Sequence, residues 1–324
     1  MEPASRIDEA IAALRRGEAI GLPTETVYGL AGDARDPDAV RRIFELKGRP
    51  ADHPLIVHLA EAHWLERWAR DVPTAAVVLA DEFWPGPLTL ILKRQPDVLD
   101  AVTGGQDTVG LRVPSHPLAR EVLSRYGRAL AAPSANRYGR VSPTAAQHVR
   151  DEFGDAVPIV LDGGDCAVGI ESTIVDVSGD TPRILRPGRI TRAELEAAIG
   201  TIESGAVAAS PRSAGSHAAH YAPSTPIELV ASDAFANRLA SHRDAGRRVA
   251  ALSRAPQPGA VEGIVAGTTP DDYAHALYGA LRALDALAVE RIVIEAPPNT
   301  PDWAAVRDRL MRAAVGAPLD GPGT

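Results

Sequence analysis

The sequence predicts an α/β protein built from two parts, and three observations lead to this fold class. The chain has 324 residues, 45% of them hydrophobic, which is enough for two separate cores. In residues 1–203 short apolar strands and helices follow one another without strict alternation, which predicts a twisted mixed sheet with helices. From residue 227 onward strands and helices alternate, which predicts a smaller parallel sheet with flanking helices. Residues 204–226 are small and polar, as is typical of a linker.

The individual elements follow from apolar periodicity and from capping residues. Asp36 and Pro37 suit the cap and first turn of a helix in which Ala39, Val40 and Ile43 recur with helical spacing. In the first part we predict strands at 19–23, 88–92, 129–132, 159–161 and 173–177, and helices at 36–46, 117–126 and 143–153. In the second part we predict strands at 227–231, 249–253, 263–265 and 291–296, and helices at 233–245, 271–288 and 301–315.

Composition and charge exclude several classes of protein. The formal net charge is −8, which argues against a chain whose main task is to bind nucleic acid through many phosphate contacts. No apolar run is long enough to span a membrane, and the first residues lack the apolar core of a signal peptide, so we expect a cytoplasmic protein. The single cysteine, Cys166, excludes an internal disulfide and a multi-cysteine zinc site, and we expect it to be a small buried hydrophobe.

The common motifs of nucleotide-binding and hydrolytic enzymes are missing. Neither G-x-x-x-x-G-K-[ST] nor G-x-G-x-x-G occurs, so a nucleotide must be held in another way. H-E-x-x-H and G-x-S-x-G are also missing, and no histidine pair has metal-ligand spacing, so we predict no metal site. The remaining candidates are polar clusters at predicted strand ends, where loops converge on ligands.

The first two clusters lie in the first sixty residues. Residues 23–29, Pro-Thr-Glu-Thr-Val-Tyr-Gly, follow a predicted strand, either as a binding loop or as a tight turn whose hydroxyls cap the next element. Lys47 is one of only two lysines in a chain that otherwise carries its positive charge on arginine. A lysine ammonium on a flexible stem can follow a moving phosphate, so Lys47 and Arg49 are a functional lead. The alternative for Lys47 is a solvated residue at a helix end. His58 ends an apolar strand, where a lone histidine is more often a structural group than a ligand contact.

Three further clusters lie between residues 108 and 188. Thr108, Gly110 and Arg112 share one side of an extended segment, and Arg112 must meet a carboxylate of either the protein or a ligand. Residues 131–136, Ala-Ala-Pro-Ser-Ala-Asn, follow a buried strand, and Ser142 could be the N-cap of the next helix instead of a ligand contact. Hydroxyls and glycines in Gly-Ile-Glu-Ser-Thr at 169–173, together with Arg186, suit phosphate contacts.

The order of these motifs is more specific than any one of them. They run Pro-Thr-Glu-Thr-Val-Tyr-Gly-Leu, Leu-Lys-Gly-Arg-Pro, Pro-Leu-Ile-Val-His, Trp-Pro-Gly-Pro-Leu-Thr, Gly-Leu-Arg-Val-Pro, Ala-Pro-Ser-Ala-Asn and Gly-Ile-Glu-Ser-Thr-Ile-Val-Asp. This order resembles the YrdC-like threonylcarbamoyl-AMP synthase family, and His-Tyr-Ala-Pro at 220–223 resembles its longer, two-domain branch. The resemblance implies a YrdC-like catalytic domain at 1–203, a linker or lid at 204–226, and a Rossmann-like α/β domain at 227–324.

The resemblance also implies an activity. Members of this family are nucleotidyltransferases that make L-threonylcarbamoyladenylate from L-threonine, bicarbonate and ATP, with release of pyrophosphate. The product serves the formation of N6-threonylcarbamoyladenosine at position 37 of tRNA. The implied partners are therefore the three substrates and the downstream tRNA threonylcarbamoyl transferase machinery, with no membrane and no stable direct tRNA binding. Mg²⁺ is expected to arrive with ATP, because such sites are assembled largely from phosphates and water.

Individual residues acquire implied roles by their match to the family motifs. The implied threonine contacts are Thr26, His58, Arg112, Ala132 and Ser172. The implied ATP and phosphate contacts are Lys47, Arg49, His53, Thr108, Ser134, Asn136, Ser142, Arg186 and Tyr221. Among these, Lys47 and Arg49 are the implied catalytic residues, which would neutralise the departing pyrophosphate, and Arg112 would bind the threonine carboxylate.

Two other functions stay open on the sequence. A YrdC-like domain also occurs as a carbamoyl-transfer module in hydrogenase maturation, which would make the chain a carbamoyladenylate-forming transferase. The single cysteine weighs against this, because those larger proteins carry zinc-finger segments. A factor for RNA binding or ribosome maturation, with a local basic groove, is disfavoured by the acidic net charge.

Overall fold

The computed structural model describes residues 3–208, 210–215, 220–256 and 262–315, with side chains from residue 6 onward. The chain divides into two compact units. The N-terminal unit comprises residues 1–138 and 142–216, and the C-terminal unit comprises residues 139–141 and 217–324. The predicted linker at 204–226 lies only partly within the described residues.

The N-terminal unit contains seven α-helices and nine strands among its described residues. In chain order they are α1 (Pro3–Arg15), β1 (Ile20–Leu22), β2 (Gly29–Asp33), α2 (Pro37–Lys47), β3 (Ile56–His58), α3 (Thr74–Phe83), β4 (Leu88–Lys93), α4 (Asp100–Thr103), β5 (Thr108–Arg112), α5 (Pro117–Tyr126), β6 (Leu130–Ala131), α6 (Ala146–Phe153), β7 (Thr173–Asp176), β8 (Arg183–Arg186), α7 (Arg192–Ile199) and β9 (Glu203–Ser204). Short 3₁₀ helices span Ala62–Arg67 and Gly154–Ala156.

The nine strands form one mixed sheet, which confirms the predicted architecture. Their spatial order is β1-β2-β6-β3-β5-β4-β7-β8-β9. The pairs β3–β5, β4–β7 and β8–β9 are parallel, and the other neighbouring pairs are antiparallel. Apolar residues of α2 and α3 belong to one buried cluster, and those of α1 and α5 belong to a second. The sheet therefore has a rigid core on which loops at the strand ends are held.

Helix α2 illustrates how local sequence sets the position of a later site residue. Asp36 caps the helix by accepting from the backbone N–H groups of Asp38 and Ala39, and Pro37 occupies its first turn, as predicted. Gly48 ends it with φ of 59°, a left-handed conformation that glycine adopts at low cost. Lys47 is the last helical residue and is buried, at 2% exposure, so its interpretation as a solvated helix end is wrong.

Strand β2 was not predicted because its residues, Gly-Leu-Ala-Gly-Asp, have low strand propensity. Packing explains it. A Cβ atom on Gly29 would lie 3.1 Å from the Cβ of Ala132, and one on Gly32 would lie 3.1 Å from Cδ1 of Ile43. Small residues are therefore required for the close approach of β2 to its neighbours. The turn that was the alternative for residues 23–29 ends where β2 begins, at Gly29.

Other departures also have local causes. Helix α3 was missed because the exposed Val77 and Val78 blur its apolar period. The predicted strand at 159–161 is only an isolated parallel bridge between Gly21 and Val160. The helix predicted from residue 143 begins at Ala146, because the carbonyl of Pro143 accepts a hydrogen bond from the Tyr28 N–H and residues up to 145 stay extended.

The C-terminal unit contains the predicted small parallel sheet with helices. Its described elements are β10 (Ile227–Val230), α8 (Ser232–Asp244), β11 (Val249–Ser253), β12 (Gly263–Val265), α9 (Pro270–Asp285), β13 (Arg291–Glu295) and α10 (Ala304–Ala314), with a 3₁₀ turn at Pro301–Trp303. The strand order is β10-β13-β11-β12 and all pairs are parallel. Alternation of strands and helices in the sequence was therefore a reliable guide here.

Candidate active site

The mixed sheet brings four of the five predicted threonine contacts close to one another. His58 ends β3 and Arg112 ends the parallel strand β5, and the register places these two residues opposite each other. Ser172 immediately precedes β7, which pairs with β4, and Thr26 lies in the loop between β1 and β2. All four are at most 4% exposed. Ala132, the fifth, follows β6 and donates its N–H to the carbonyl of Ile56 on β3.

Arg112 meets a carboxylate of the protein, which is one of the two partners that the sequence left open. Its Nη2 lies 2.7 Å from Oε1 of Glu25. Its Nη1 donates to Oγ1 of Thr26 at 2.9 Å, and its Nε donates to the carbonyl of Gly86 at 3.2 Å. The guanidinium group is therefore held in one orientation by three contacts from two separate loops, as a binding group with a fixed direction requires.

His58 is a neutral imidazole in this pocket. Burial, followed by the positive charge of Arg112, lowers its pKa to about 3. Its Nδ1 is buried and has no hydrogen-bond partner among the described residues. A buried polar atom without a partner calls for an explanation, and a ligand is one of the few that apply.

The neutral state of His58 predicts a loss of stability in acid. An unfolded histidine has a pKa of about 6.5, whereas that of folded His58 is lowered to about 3. Below pH 6.5 the unfolded chain binds more protons at this residue than the folded chain does. The free energy of unfolding then falls with falling pH, by about 1.4 kcal/mol per pH unit from this residue alone.

Urea unfolding at pH 6.5 and pH 5 measures this contribution. We expect the free energy of unfolding to drop by about 2 kcal/mol more in the wild type than in His58→Asn, which has no imidazole to protonate. An equal drop in both proteins would show that His58 is not the buried neutral group described above.

Ser172 is fixed by a network that extends to the segment after β9. Its Oγ lies 2.8 Å from Oγ1 of Thr89 and accepts from Nη2 of Arg186 at 3.1 Å. Arg186 also donates to the carbonyls of Ser172 and Ala214. Gly188 packs so closely that a Cβ atom there would lie 2.3 Å from the backbone nitrogen of Thr173, which explains why a glycine stands two residues after Arg186. Arg186 therefore anchors Ser172 and the 210–215 segment together.

Lys47 and two predicted ATP contacts form a second cluster. The Lys47 Nζ donates to the carbonyls of Ser134 and Asn136, each at 2.5 Å. Burial, followed by the charge of Arg49, lowers the pKa of Lys47 well below its ordinary value. Arg49 donates to the carbonyl of Pro54 at 3.0 Å. An anion in this region would favour the charged form of Lys47, so the cluster is suited to a phosphate group.

The other predicted ATP contacts lie around this cluster or at the far end of β5. Ser142 donates to Oε1 of Glu171 at 2.6 Å, and because α6 begins only at Ala146, its interpretation as an N-cap is wrong. The ring of His53 lies 5.3 Å from that of Tyr138. Thr108 lines a groove whose other walls include Ile56, Thr89, Ile174, Arg212 and Ala214.

Tyr221, the last predicted ATP contact, belongs to the C-terminal unit. It is 1% exposed and has a φ of 63°, a left-handed backbone that is costly for a residue with a bulky side chain. Within that unit its ring lies 5.6 Å from the ring of Tyr278 and 5.5 Å from the guanidinium carbon of Arg309. Its predicted contact with ATP stays a prediction.

Sequence reasoning missed several residues of this pocket. Glu25, Glu171 and Thr89 each contact a predicted ligand residue, and Glu25 and Glu171 are almost fully buried. The sequence did contain a signal for the two glutamates. Each stands between apolar or hydroxyl-bearing neighbours, in Thr-Glu-Thr and in Ile-Glu-Ser, where the chain is expected to be buried. A buried carboxylate needs a partner, so both glutamates were candidates for contacts within the site.

Three other features of the described chain bear on the predicted function classes. Cys166 is buried, and burial raises the pKa of its thiol to about 12, so it is an unreactive apolar residue. No cluster of three or more acidic, histidine or cysteine side chains suited to a metal ion occurs within the described ranges. Over the same residues, no helix combines the length and apolarity needed to cross a membrane.

Comparison with known proteins identifies the family. Residues 12–188 match a family model for Sua5, YciO and YrdC described as telomere recombination, and residues 190–315 match one described as threonylcarbamoyl-AMP synthase, C-terminal domain. The chain is 39% identical over 323 residues to a threonylcarbamoyl-AMP synthase of Bacillus subtilis, covering 96% of this chain and 93% of the relative. It is 38% identical over 320 residues to a Pyrococcus abyssi protein of the same name, covering 95% and 94%.

Structural similarity agrees with the sequence matches. The crystal structure of P. abyssi Sua5 complexed with L-threonine superposes with a TM-score of 0.90 at 37% identity, covering 97% of this chain and 95% of that one. The two family models together match residues 12–188 and 190–315, and the structural superposition covers 97% of this chain. This chain belongs to the threonylcarbamoyl-AMP synthase family, in its branch with the additional C-terminal domain.

Proposed function

We propose that this protein makes L-threonylcarbamoyladenylate from L-threonine, bicarbonate and ATP, and that it acts as a nucleotidyltransferase. The relatives from B. subtilis and P. abyssi are named threonylcarbamoyl-AMP synthase, and the P. abyssi Sua5 structure contains L-threonine. The similarity extends over both units, which supports the synthase over the carbamoyl-transfer alternative.

One observation in this structure carries the proposal. The side chains of Arg112 and His58 lie opposite each other on parallel strands, and both are almost completely buried. Arg112 pairs with Glu25, and the Nδ1 of His58 has no hydrogen-bond partner among the described residues. A buried guanidinium beside a neutral imidazole is suited to a small ligand with a carboxylate and further polar groups, as L-threonine is.

The first step joins threonine and bicarbonate. The α-ammonium group of threonine first loses a proton to water. The free amine then attacks the carbon of bicarbonate, water leaves, and an N-carboxylate forms on the amino acid. In our proposal Arg112 binds the threonine carboxylate, while Thr26, His58, Ala132 and Ser172 surround the rest of the substrate. The protein supplies no covalent nucleophile, so positioning of the reactants provides most of the acceleration in this step.

The second step transfers the adenylyl group. An oxygen of the N-carboxylate attacks the α-phosphate of ATP in line, the bond to the β-phosphate breaks, and pyrophosphate leaves with its electron pair. We assign Lys47 and Arg49 to the neutralisation of that leaving group, with His53, Thr108, Ser134, Asn136, Ser142, Arg186 and Tyr221 as contacts of the nucleotide and its phosphates. Lys47 and Arg49 are two residues apart at the end of α2, which supports a shared role.

Mg²⁺ is expected to enter this site together with ATP, and in our proposal it lowers the charge repulsion among the phosphates. Glu171, beside Ser142, is the carboxylate that could support it through water, which fits a metal held mainly by substrate oxygens. The product would pass to the tRNA threonylcarbamoyl transferase machinery, without stable tRNA binding by this chain. The cytoplasmic location expected from the sequence stays a prediction.

Pyrophosphate release tests the proposal. The protein is incubated with ATP, Mg²⁺, L-threonine and bicarbonate, and each substrate is omitted in turn. We expect release only when all three substrates are present, with a product of the mass of threonylcarbamoyl-AMP. Release that is indifferent to threonine would contradict the proposal and favour a carbamoyladenylate-forming reaction, and a salt-sensitive shift of RNA mobility without release would favour RNA binding.

A further inference from the structure

Glu25 is a buried carboxylate at the centre of the predicted threonine pocket. It is 7% exposed. Its Oε2 accepts from the backbone N–H of Ser115 at 3.1 Å, and its own carbonyl accepts from the N–H of Val168 at 2.7 Å. Two other loops therefore fix both its backbone and one of its carboxylate oxygens. A charged group held so firmly inside a pocket has either a structural partner or a ligand to meet.

The second oxygen of this carboxylate faces Arg112. Glu25 Oε1 lies 2.7 Å from Arg112 Nη2, and the two groups form an ion pair. Both side chains are almost completely buried. A ligand that enters here must therefore give each of the two charges a replacement partner, because a buried charge that loses its partner is costly.

Charge explains why the group stays ionised. Burial opposes ionisation of Glu25, but the positive charge of Arg112, the hydrogen bond from its guanidinium group and the N–H of Ser115 outweigh it, so the pKa of Glu25 is lowered. His58, opposite Arg112, is neutral. Within this pocket Glu25 and Arg112 thus form one negative and one positive group side by side.

An α-amino acid carries the complementary arrangement, with an ammonium and a carboxylate on neighbouring atoms. If only a carboxylate entered, the pocket would gain an uncompensated negative charge beside Glu25, which is unfavourable in a buried site. A zwitterion instead replaces one internal ion pair with two ion pairs to the ligand and adds no net charge. We propose that Glu25 binds the α-ammonium group of the amino-acid substrate through Oε1 while Arg112 binds its carboxylate, so that Glu25 selects amino acids over other small acids.

This inference rests on the proposed function, and its test separates the two. The KM for L-threonine is measured in pyrophosphate release, together with the inhibition constant of (R)-3-hydroxybutanoate, which is threonine without its amino group. The proteins are the wild type, Glu25→Gln, and the control Glu121→Gln, whose exposed carboxylate pairs with Arg125 on the same helix. If the wild type shows no threonine-dependent release, the proposed function fails before the inference is tested.

For Glu25→Gln we expect the KM for threonine to rise about tenfold or more, since a charge-assisted hydrogen bond is replaced by a neutral one. The KM for ATP should stay within about twofold, and the inhibition constant of 3-hydroxybutanoate should stay the same or fall. If Glu25 serves only to orient Arg112, both ligands weaken by the same factor, and this result would overturn the inference. An unchanged KM for threonine would do so as well.

A second variant covers the case in which Glu25→Gln does not fold. Glu25→Asp keeps the charge beside Arg112 but withdraws the carboxylate by one methylene group. The measured quantity is the ratio of the threonine KM to the hydroxybutanoate inhibition constant. We expect this ratio to rise at least threefold over the wild type if Glu25 contacts the ammonium, and a ratio equal to that of the wild type would refute the contact.

Discussion

Replacing Arg112 with methionine is expected to abolish threonine-dependent turnover and to destabilise the N-terminal unit. Arg112 is 4% exposed, and its removal leaves Glu25 as a buried charge without its cation. The cost of breaking a buried pair in this way is about 3–5 kcal/mol. Activity should fall more than a hundredfold in kcat/KM for threonine, since about 3 kcal/mol of charge-assisted binding would be lost.

Two further variants separate the stability effect from the binding effect. Glu25→Gln combined with Arg112→Met removes both charges, so the double variant should recover part of the stability while staying inactive. Arg41→Met is the control, because Arg41 forms exposed pairs with Asp38 and Glu45 whose loss should cost less than about 1 kcal/mol. Denaturant unfolding and initial rates measure the two effects. A stable Arg112→Met protein with wild-type kinetics would refute the assignment of Arg112.

Replacing Lys47 with methionine is expected to lower kcat by about a hundredfold to a thousandfold. This is the usual effect of removing one preorganised group that stabilises developing charge. Methionine has a similar length, so packing at the end of α2 changes little. The loss of the hydrogen bonds to Ser134 and Asn136 should also lower stability by about 2–4 kcal/mol. Pyrophosphate release at saturating substrates measures the first effect, and urea unfolding measures the second.

The chain offers a matched control for this experiment, since Lys93 is its other lysine. The Lys93 side chain is 43% exposed and lies 3.7 Å from Asp71, so Lys93→Met should leave both kcat and stability nearly unchanged. Lys47→Arg should not restore activity, because a guanidinium fork cannot take the place of a compact ammonium between two carbonyls. If Lys47→Met raised only the KM for ATP and kept kcat, Lys47 would be an anchor of the 134–136 loop instead of a group that acts on the leaving pyrophosphate.

Local sequence was sufficient for much of the secondary structure. The helix with Asp36 as its cap and Gly48 at its end, and the alternating elements of the C-terminal unit, lie within a few residues of their predicted bounds. Segments whose apolar pattern was ambiguous were missed, such as α3 with its exposed valines and β2 with its glycines. In those segments packing against neighbours outweighs intrinsic propensity, and a single sequence does not contain that information.

For the candidate site, the motifs identified residues but not their partners. The position of Arg112 between two apolar residues required an opposite charge, yet Glu25 is 87 residues away in the chain and only the sheet brings them together. Lys47 was identified by its rarity among arginines, while its burial against the carbonyls of Ser134 and Asn136 was not predictable. Hydrogen bonds between distant loops depend on register and on loop paths, which periodicity does not encode.

By itself the sequence determined the fold class and the family, and it supplied the residues that we propose to bear the chemistry. These properties depend on composition, on local periodicity and on short motifs in a set order, all of which can be read along the chain. The tertiary structure decided which of those residues meet, which are charged and which are buried. It places a neutral His58 opposite Arg112 and gives Arg112 the buried carboxylate of Glu25, because protonation and pairing depend on the groups that the fold brings within a few ångströms.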